Sequence, residues 1–452
     1  VGRRAGLGFV PSLLIQSALI LNGALSWHAF SGMETALVVL FMLLTFEAFI
    51  ARAQRRFVVA ALVLALLRPD ASMLAAVASV LYAAREIAES RRFQARLLWL
   101  VLPIAALGVQ PALNLLITGA ASASGGQAKS LLGMIPAYPD VIMARILENF
   151  TRMASELFVG VGAYDIWYTP PPFATIALAG AGVVFGRGRW RWTIVLAMLW
   201  IVLLMGAVST LDTAFWHFKR YQMPIHALLF ALLVLCLSLL RLRGQVIVTA
   251  FALVITLFTL STFVGFYAQN AAGVAAQPLA MARALPTLTP PDAVIAVHDV
   301  GMMRYMGQRT TLDMVGLTTE GTAEYWRHGP GAVAEYLGKT RPSHIAAYTD
   351  ARGLAYLAAT SLYGQELAGF PHTFDARANV ALGGDFQGIY AADYAAVTNA
   401  ALVQQPQSLL YSDGLTLVDT LNVADLADEV AHGYTWSNRE RLDGFATEVY
   451  EF

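Results

Sequence analysis

Nine apolar runs, separated by short polar breaks, fill the first 270 residues at about 8–26, 34–51, 57–67, 71–84, 97–117, 173–186, 193–209, 222–240 and 245–267. Runs near 20 residues are the length a hydrocarbon layer of about 30 Å demands of a helix. The third and fourth runs are shorter. Residues 57–67 would give only about 16 Å of helix at 1.5 Å per residue. Between these two runs stands Arg68-Pro69-Asp70. Pro69 removes a helical hydrogen bond and disfavours helix at Arg68. Broken backbone at membrane depth is tolerated only against protein or water. The pattern therefore predicts that Arg68 and Asp70 face a wet cavity. The competing reading is one kinked helix over 57–84 with Arg68 and Asp70 as a structural pair.

After Gln277 the period changes. Residues 287–292 read as a linker, and 293–297, 310–315 and 343–348 read as buried strands. Helical patterns at 322–326 and 331–337 lie between them, with a short helix after His298-Asp299-Val300-Gly301. Further strands are expected near 409–411, 415–418 and 448–452. Alternating strands and helices argue an α/β domain with a partly parallel sheet. The predicted organisation is a polytopic α-helical membrane domain over 1–270, followed by an α/β domain over 271–452.

Composition sharpens this. Of 452 residues, 57% are hydrophobic and 13% charged, with a mean hydropathy of +0.58; soluble domains carry about 25% charged residues. The single cysteine, Cys236, excludes a disulfide within the chain and a cysteine-based metal site. A formal net charge of zero gives no reason to expect a nucleic-acid partner. Arginines fall in alternate gaps: Arg3 and Arg4; Arg52, Arg55 and Arg56; Arg85 to Arg96; Arg187 to Arg191; Arg241 and Arg243. The positive-inside rule makes these gaps cytoplasmic, and nine crossings then put everything after 267 outside the cytoplasm. The chain opens on Val1 and stops at Phe452 within a strand-like run, which reads as a fragment missing both ends.

The remaining breaks gather on the outer side. Ser31-Gly32-Met33-Glu34-Thr35 places a carboxylate beside a span, a functional candidate by default; Ser31 and Glu34 also have capping-box spacing. The gap 118–172 contains Lys129, a predicted amphipathic surface helix at 139–159, and Trp167, Tyr168 and the prolines at 170–172 as an interfacial anchor. Asn149-Phe150-Thr151 matches a glycosylation sequon but lies on that helix. The gap 209–224 crowds Asp212, His217, Lys219 and Arg220 among Trp216, Phe218 and Tyr221. Outward cations suit an anionic group such as a lipid phosphate, against a plain snorkelling role.

Taken in order, the Glu34 pentapeptide, Leu67-Arg68-Pro69-Asp70, Ala128-Lys129-Ser130 and Arg220-Tyr221-Gln222-Met223-Pro224 resemble the bacterial GT-C superfamily of integral membrane glycosyltransferases, in the AftB-like and protein mannosyltransferase-like branch. The α/β part is similar too, at His298-Asp299-Val300-Gly301 and in residues 312–317. The resemblance implies transfer of a sugar from a polyprenyl-phosphate donor to a glycan, lipid or protein acceptor on the outer face of the cell membrane. It implies a catalytic base in an outer loop upstream of these residues, Glu34 supporting that base or binding acceptor, and Arg68, Lys129 and Arg220 on the donor phosphate. Asp70, His217 and Tyr221 would support them. Ser122 to Gly126 departs from the turn such enzymes carry before the lysine. His298 and Asp299, at a strand end, are candidates for an outer-domain site, against an ordinary turn. No cofactor is called for, and a divalent metal stays open. The rival readings are a transporter or lipid flippase with broken helices, and a non-catalytic glycan-binding membrane subunit.

Overall fold

The computed structural model describes residues 1–134, 137–159, 171–188, 190–395 and 431–432. The chain divides into two compact units. The first is Val1–Ser122 with Met143–Ala268, and the second is Ala123–Ile142 with the residues from Gln269 onward.

The first unit is helical. Its principal helices are α1 (Phe9–Ile20), α2 (Gly23–Phe30), α3 (Thr35–Ala51), α4 (Gln54–Leu67), α5 (Pro69–Ser90), a mixed 3₁₀ and α run α6 (Ala95–Thr118), α7 (Pro139–Val159), α8 (Pro171–Gly186), α9 (Arg191–Ser209), α10 (Met223–Leu237) and α11 (Leu242–Val274). Among the described residues, five helical stretches are long and apolar enough to cross a membrane, and six if the bent pair α1 and α2 counts as one. Thr35–Ala51 and Ile176–Gly186 are shorter apolar helices. The α1–α2 bend of 55° falls at Leu21 and Asn22, where the Asn22 side chain caps α2 by accepting from the Leu25 amide. Gly23 is required there, because a Cβ would stand 2.6 Å from the Phe263 ring and 2.8 Å from the Thr259 carbonyl.

The break at Arg68 is real: its backbone is extended at φ −161°, and Pro69 opens α5 at the first helical position. The fourth run is nevertheless not short. Helix α5 has 22 residues, about 33 Å at 1.5 Å each. It outruns its apolar stretch because Arg85 donates to the Phe49 carbonyl and Glu86 pairs with Arg96, so charged residues end the helix without loss of partners. Helix α7 forms as its periodicity predicts, with Ile142, Met153 and Leu157 buried. Its Asn149 amide donates to the Ser209 and Leu211 carbonyls at 3.1 Å each, satisfying the end of α9. The aromatic anchor placed at 167–168 lies outside the described residues.

In the second unit, helix α12 (Ala280–Leu288) leads into a five-stranded mixed sheet. The elements are β1 (Val294–Val297), α13 (Val300–Gly307), β2 (Thr310–Asp313), α14 (Thr322–His328), α15 (Pro330–Thr340), β3 (His344–Tyr348), α16 (Arg352–Ala358), β4 (Tyr363–Pro371) and β5 (Phe386–Ala392). Strand order is β2-β1-β3-β5-β4, parallel for the first three and antiparallel for the rest. Alternation along each strand divides the core between two faces. Ile295, Val297, Ala346 and Ile389 pack with Met281, Leu285 and Met303 of α12 and α13. On the other face Ala296, Ile345 and Ala347 pack with Val333, Leu337, Leu354 and Leu357 of α15 and α16. Helices thus cover both faces of the sheet. The predicted linker at 287–292 shrinks, because α12 runs to Leu288. The strands expected at 409–411, 415–418 and 448–452 lie outside the described residues.

Candidate functional site

Two discontinuities in the first unit deliver arginines to one carboxylate. Arg68 comes from the extended break between α4 and α5. Arg220 comes from the approach to α10. Glu34 sits between them, immediately before α3. Arg220 Nη2 donates to Glu34 Oε1 at 2.7 Å, and Arg68 Nη1 lies 3.7 Å from the same oxygen. Arg68 also makes a two-pronged bond to Asp70, Nε to Oδ1 at 2.6 Å and Nη2 to Oδ2 at 2.5 Å, the strong planar geometry of guanidinium and carboxylate. Both guanidiniums face the Tyr221 ring, at 5.2 Å for Arg68 and 5.1 Å for Arg220, within cation–π range. Met33 Sδ lies 3.1 Å from Arg220 Nη1.

Two expectations need correction here. The capping box does not form. Helix α3 begins at Thr35, the Glu34 side chain makes no cap, and Ser31 Oγ donates to the His28 carbonyl. Gly32, at φ +75°, turns the chain so that Ser31 and Glu34 never face one helix end. Nor does Arg68 face open water. It is 7% exposed, held among Asp70, Glu34 and Tyr221. Glu34 and Arg220 are more open, their side chains 30% and 19% exposed. Burial would raise the Glu34 pKa, but its own backbone amide and the two guanidiniums outweigh this and hold it below the ordinary carboxylate value. Arg68 and Asp70 are paired, as the structural alternative held, yet across a broken helix rather than within a kinked one.

Arg220 is aimed by an unusual turn. His217, Phe218 and Lys219 take left-handed backbone in succession, at φ 49°, 49° and 55°. For L-residues this costs about 1–2 kcal/mol each. The turn is held by its surroundings. Phe218 is fully buried, stacked on Phe266 and edge-on to Phe263 and Trp27. His28 Nε2 meets the Phe218 carbonyl at 3.3 Å. Lys219 is buried in an ion pair with Glu156 of α7, whose Arg152 lies over the Phe215 ring at 4.1 Å. His217 stands beside Trp216 on the turn. His28, Met33, Lys219 and Glu156 were not singled out as site residues; only the clustering of Lys219 with Arg220 in the sequence pointed at any of them.

Lys129 does not belong to this unit. It follows the short helix Ser124–Gln127, in a stretch of the second unit that packs on α14: Arg327 donates to the Gln127 carbonyl at 2.8 Å. Lys129 is therefore described with the α/β unit.

His298 and Asp299 follow β1 directly. His298 Nδ1 lies 3.0 Å from Asp299 Oδ1, and Asp299 Oδ2 accepts from Gln387 at 2.6 Å and Tyr348 at 3.1 Å. The adjacent β2 end is closed by Asp313, fully buried, which accepts from the amides of Val315, Gly316, Leu317 and Thr318. This carboxylate is saturated by backbone and organises a loop. Among the described residues, no group of three His, Cys, Asp or Glu side chains could hold a metal ion. An apolar groove of about 500 Å³ between α8 and α9, lined by Leu178, Phe185, Met198 and Val202, contains none of the charged residues.

Residues 266–420 match a family described as a domain of unknown function, DUF8728. That is about a third of the chain and includes every strand of the sheet. No curated protein and no solved structure matches the chain. The class these observations define is a largely helical protein with, among the described residues, five or six candidate membrane spans and a C-terminal mixed sheet.

Proposed function

We propose that this protein is a membrane glycosyltransferase of GT-C type that moves a sugar from a polyprenyl-phosphate donor to an acceptor on the extracytoplasmic face. The observation that carries the reading is the convergence of Arg68 and Arg220 on Glu34 and Tyr221 from two breaks between apolar helices. Glycosyl transfer from a lipid phosphate needs cationic help for the departing phosphate and a carboxylate near the acceptor hydroxyl. Arg220 is the better placed phosphate ligand, since it is the more exposed and its buried Nε makes no hydrogen bond. Arg68, already saturated by Asp70 on two nitrogens, adds field and fixes the Tyr221 face. Glu34 binds the acceptor or supports a base supplied from elsewhere.

The test is transfer in reconstituted membranes from a polyprenyl-phosphate sugar. Glu34→Gln and Arg220→Ala should each abolish transfer while expression and folding persist. Wild-type rates in both variants would sink the assignment. One observation favours a transporter or flippase instead: the bent pair α1–α2 and the break at Arg68 are interrupted helices of the kind that line transport sites. Movement of labelled lipid across proteoliposomes without any transfer product would select that reading.

A further inference from the structure

Helices α8 and α9 form a hairpin whose two halves part along one side. Helix α8 leans on α10: a Cβ at Gly180 would stand 2.6 Å from Cys236 Sγ, and the Cys236 thiol donates to the Ala177 carbonyl at 3.4 Å. Leu178, Gly182 and Phe185, spaced as one helical face, line the apolar groove of about 500 Å³ together with Ile194, Met198 and Val202 of α9. Gly182 borders open space, since a Cβ there meets nothing within 4 Å. At 1.5 Å per residue the lined stretches, 178–185 and 194–202, are about 10–12 Å long. Over that length the volume makes a channel about 7–8 Å across, narrower than the 10–12 Å of a helix with its side chains.

One end of this groove is charged. Gly188, at φ +77°, folds the connection into a tight turn, in which the Gly188 amide donates to the Phe185 carbonyl at 3.0 Å and the Arg191 amide to the Gly188 carbonyl at 3.3 Å. The turn brings Arg187 and Arg191 to the Phe185 end, with the Arg191 guanidinium 5.3 Å from the Phe185 ring centre. Both arginines are exposed, and among the described residues neither makes an ion pair. The hairpin has no acid to offer them, because residues 166–211 include no Asp or Glu. The basic gaps after α3 and α5 differ: Arg56 pairs with Glu47, Arg52 with Glu89 and Arg96 with Glu86. Trp190 and Trp192 stand at the same end of the hairpin, and tryptophan settles at headgroup depth in membranes.

We propose that the groove holds one acyl chain of an anionic phospholipid, with the lipid phosphate against Arg187 and Arg191. The lining is apolar throughout, so the occupant is hydrocarbon. The width excludes a helix from a second copy. Two exposed arginines with no acid in their hairpin select a negative headgroup, as basic sites between spans do. A zwitterionic lipid would bring its own ammonium to the same two cations. The inference rests on the membrane placement of α9, not on sugar transfer or on which side of the membrane the turn faces.

The test uses the full chain, purified in detergent and stripped of lipid. The probes are phosphatidylglycerol and phosphatidylcholine with identical acyl chains, each carrying a photoactivatable group in mid-chain. Native mass spectrometry reads binding, and peptide mapping reads where the label lands. Phosphatidylglycerol should bind at least about tenfold more tightly than phosphatidylcholine, as two cationic contacts allow, and its label should fall within 176–186 or 194–202. Arg187→Gln with Arg191→Gln should remove the preference, whereas Arg91→Gln with Arg92→Gln, in another basic gap, should leave it. Gly182→Leu fills the groove without meeting protein and should cut that labelling about tenfold. Equal binding of the two lipids, label outside both stretches, or an undiminished preference in the Arg187 and Arg191 double variant overturns the proposal. So does displacement of phosphatidylglycerol by a tenth as much polyprenyl phosphate, which would make the groove a carrier site, or a dimer that Gly182→Leu splits, which would give it to a second copy. Should Gly182→Leu fail to fold, the exposed arginines still decide. Sugar transfer is not read in this experiment, so its failure and the failure of the transferase reading remain separate results.

Discussion

Replacing Asp70 by Asn puts the burial of Arg68 to the test. In the wild type the guanidinium is 7% exposed and gives two short hydrogen bonds to Asp70. Removing one partner of a buried ion pair costs about 3–5 kcal/mol, because the other charge is left uncompensated. Two things soften the loss here. Glu34 stays 3.7 Å from Nη1, and an Asn oxygen still accepts one hydrogen bond. The expected penalty is therefore the low end, about 3 kcal/mol. The double change Arg68→Met with Asp70→Leu removes both charges and should fall within about 1 kcal/mol of wild type, since apolar replacements of buried pairs are often neutral. The double variant would then be about 2 kcal/mol more stable than the single one. Equilibrium unfolding in mixed detergent and SDS micelles, followed by tryptophan fluorescence, reads it. Trp200 reports on the same helix, because its buried indole donates to the Leu74 carbonyl at 2.8 Å, one turn from Asp70. If Asp70→Asn unfolds within about 0.5 kcal/mol of wild type, the size of an ordinary surface change, or if the double variant is no better than the single, Arg68 is not the desolvated charge described above. The double variant should lose transfer even if it is stable, which separates structural from phosphate-binding roles.

Other outcomes follow from the same geometry. Glu34 and Asp299 both have pKa values held below the ordinary carboxylate value. Their contributions to stability are thus complete above the unfolded values of about 4 and are lost only as pH falls through the lowered folded values. Unfolding profiles of wild type and Asp299→Asn should therefore differ by a constant amount from pH 6 to 8 and converge in acid; convergence on the alkaline side would contradict the sign. Gly316→Ala should be severely destabilising, because φ is +80° and a Cβ would meet the Ala323 backbone nitrogen at 2.0 Å. A melting curve of the full chain unchanged by that substitution would refute the close approach of Gly316 to Ala323. Tyr221→Leu removes the ring under both guanidiniums and should cost about 1–2 kcal/mol of stability, readable in the same micelle titration; no loss would mean the ring contributes no cation–π attraction.

The helical half was legible because apolar burial writes itself as run length, and each of the nine runs corresponds to helix in the structure. Helix α5 escaped because its last turns are charged yet partnered, which run length cannot register. In the α/β half the buried parallel strands were plain. Strands β4 and β5 were missed because Gly364, Gly369, Pro371 and Gly388 dilute their pattern and the pairing is irregular at Glu366. At the site, Arg68 and Asp70 could be linked by their spacing around Pro69. Glu34 and Arg220, 186 positions apart, were joined only by the expected shared outer side of their polar breaks and by the resemblance. The segment before Lys129 packs on α14 although it lies in sequence between apolar runs, and packing between distant segments leaves no periodic trace. Tyr348 and Gln387 were invisible as partners of Asp299, because strand register decides that meeting.

The stretch from His217 to Lys219 has a consequence for how this protein can vary. Most connections between helices accept an added or deleted residue at small expense. Here Lys219 and its immediate neighbour Arg220 must reach two different acids, Glu156 and Glu34. A chain wound against its own handedness has no spare slack to absorb a shift in count. One residue more or fewer would send each cation to the wrong address, so this connection should resist changes in length as firmly as a core resists changes in volume.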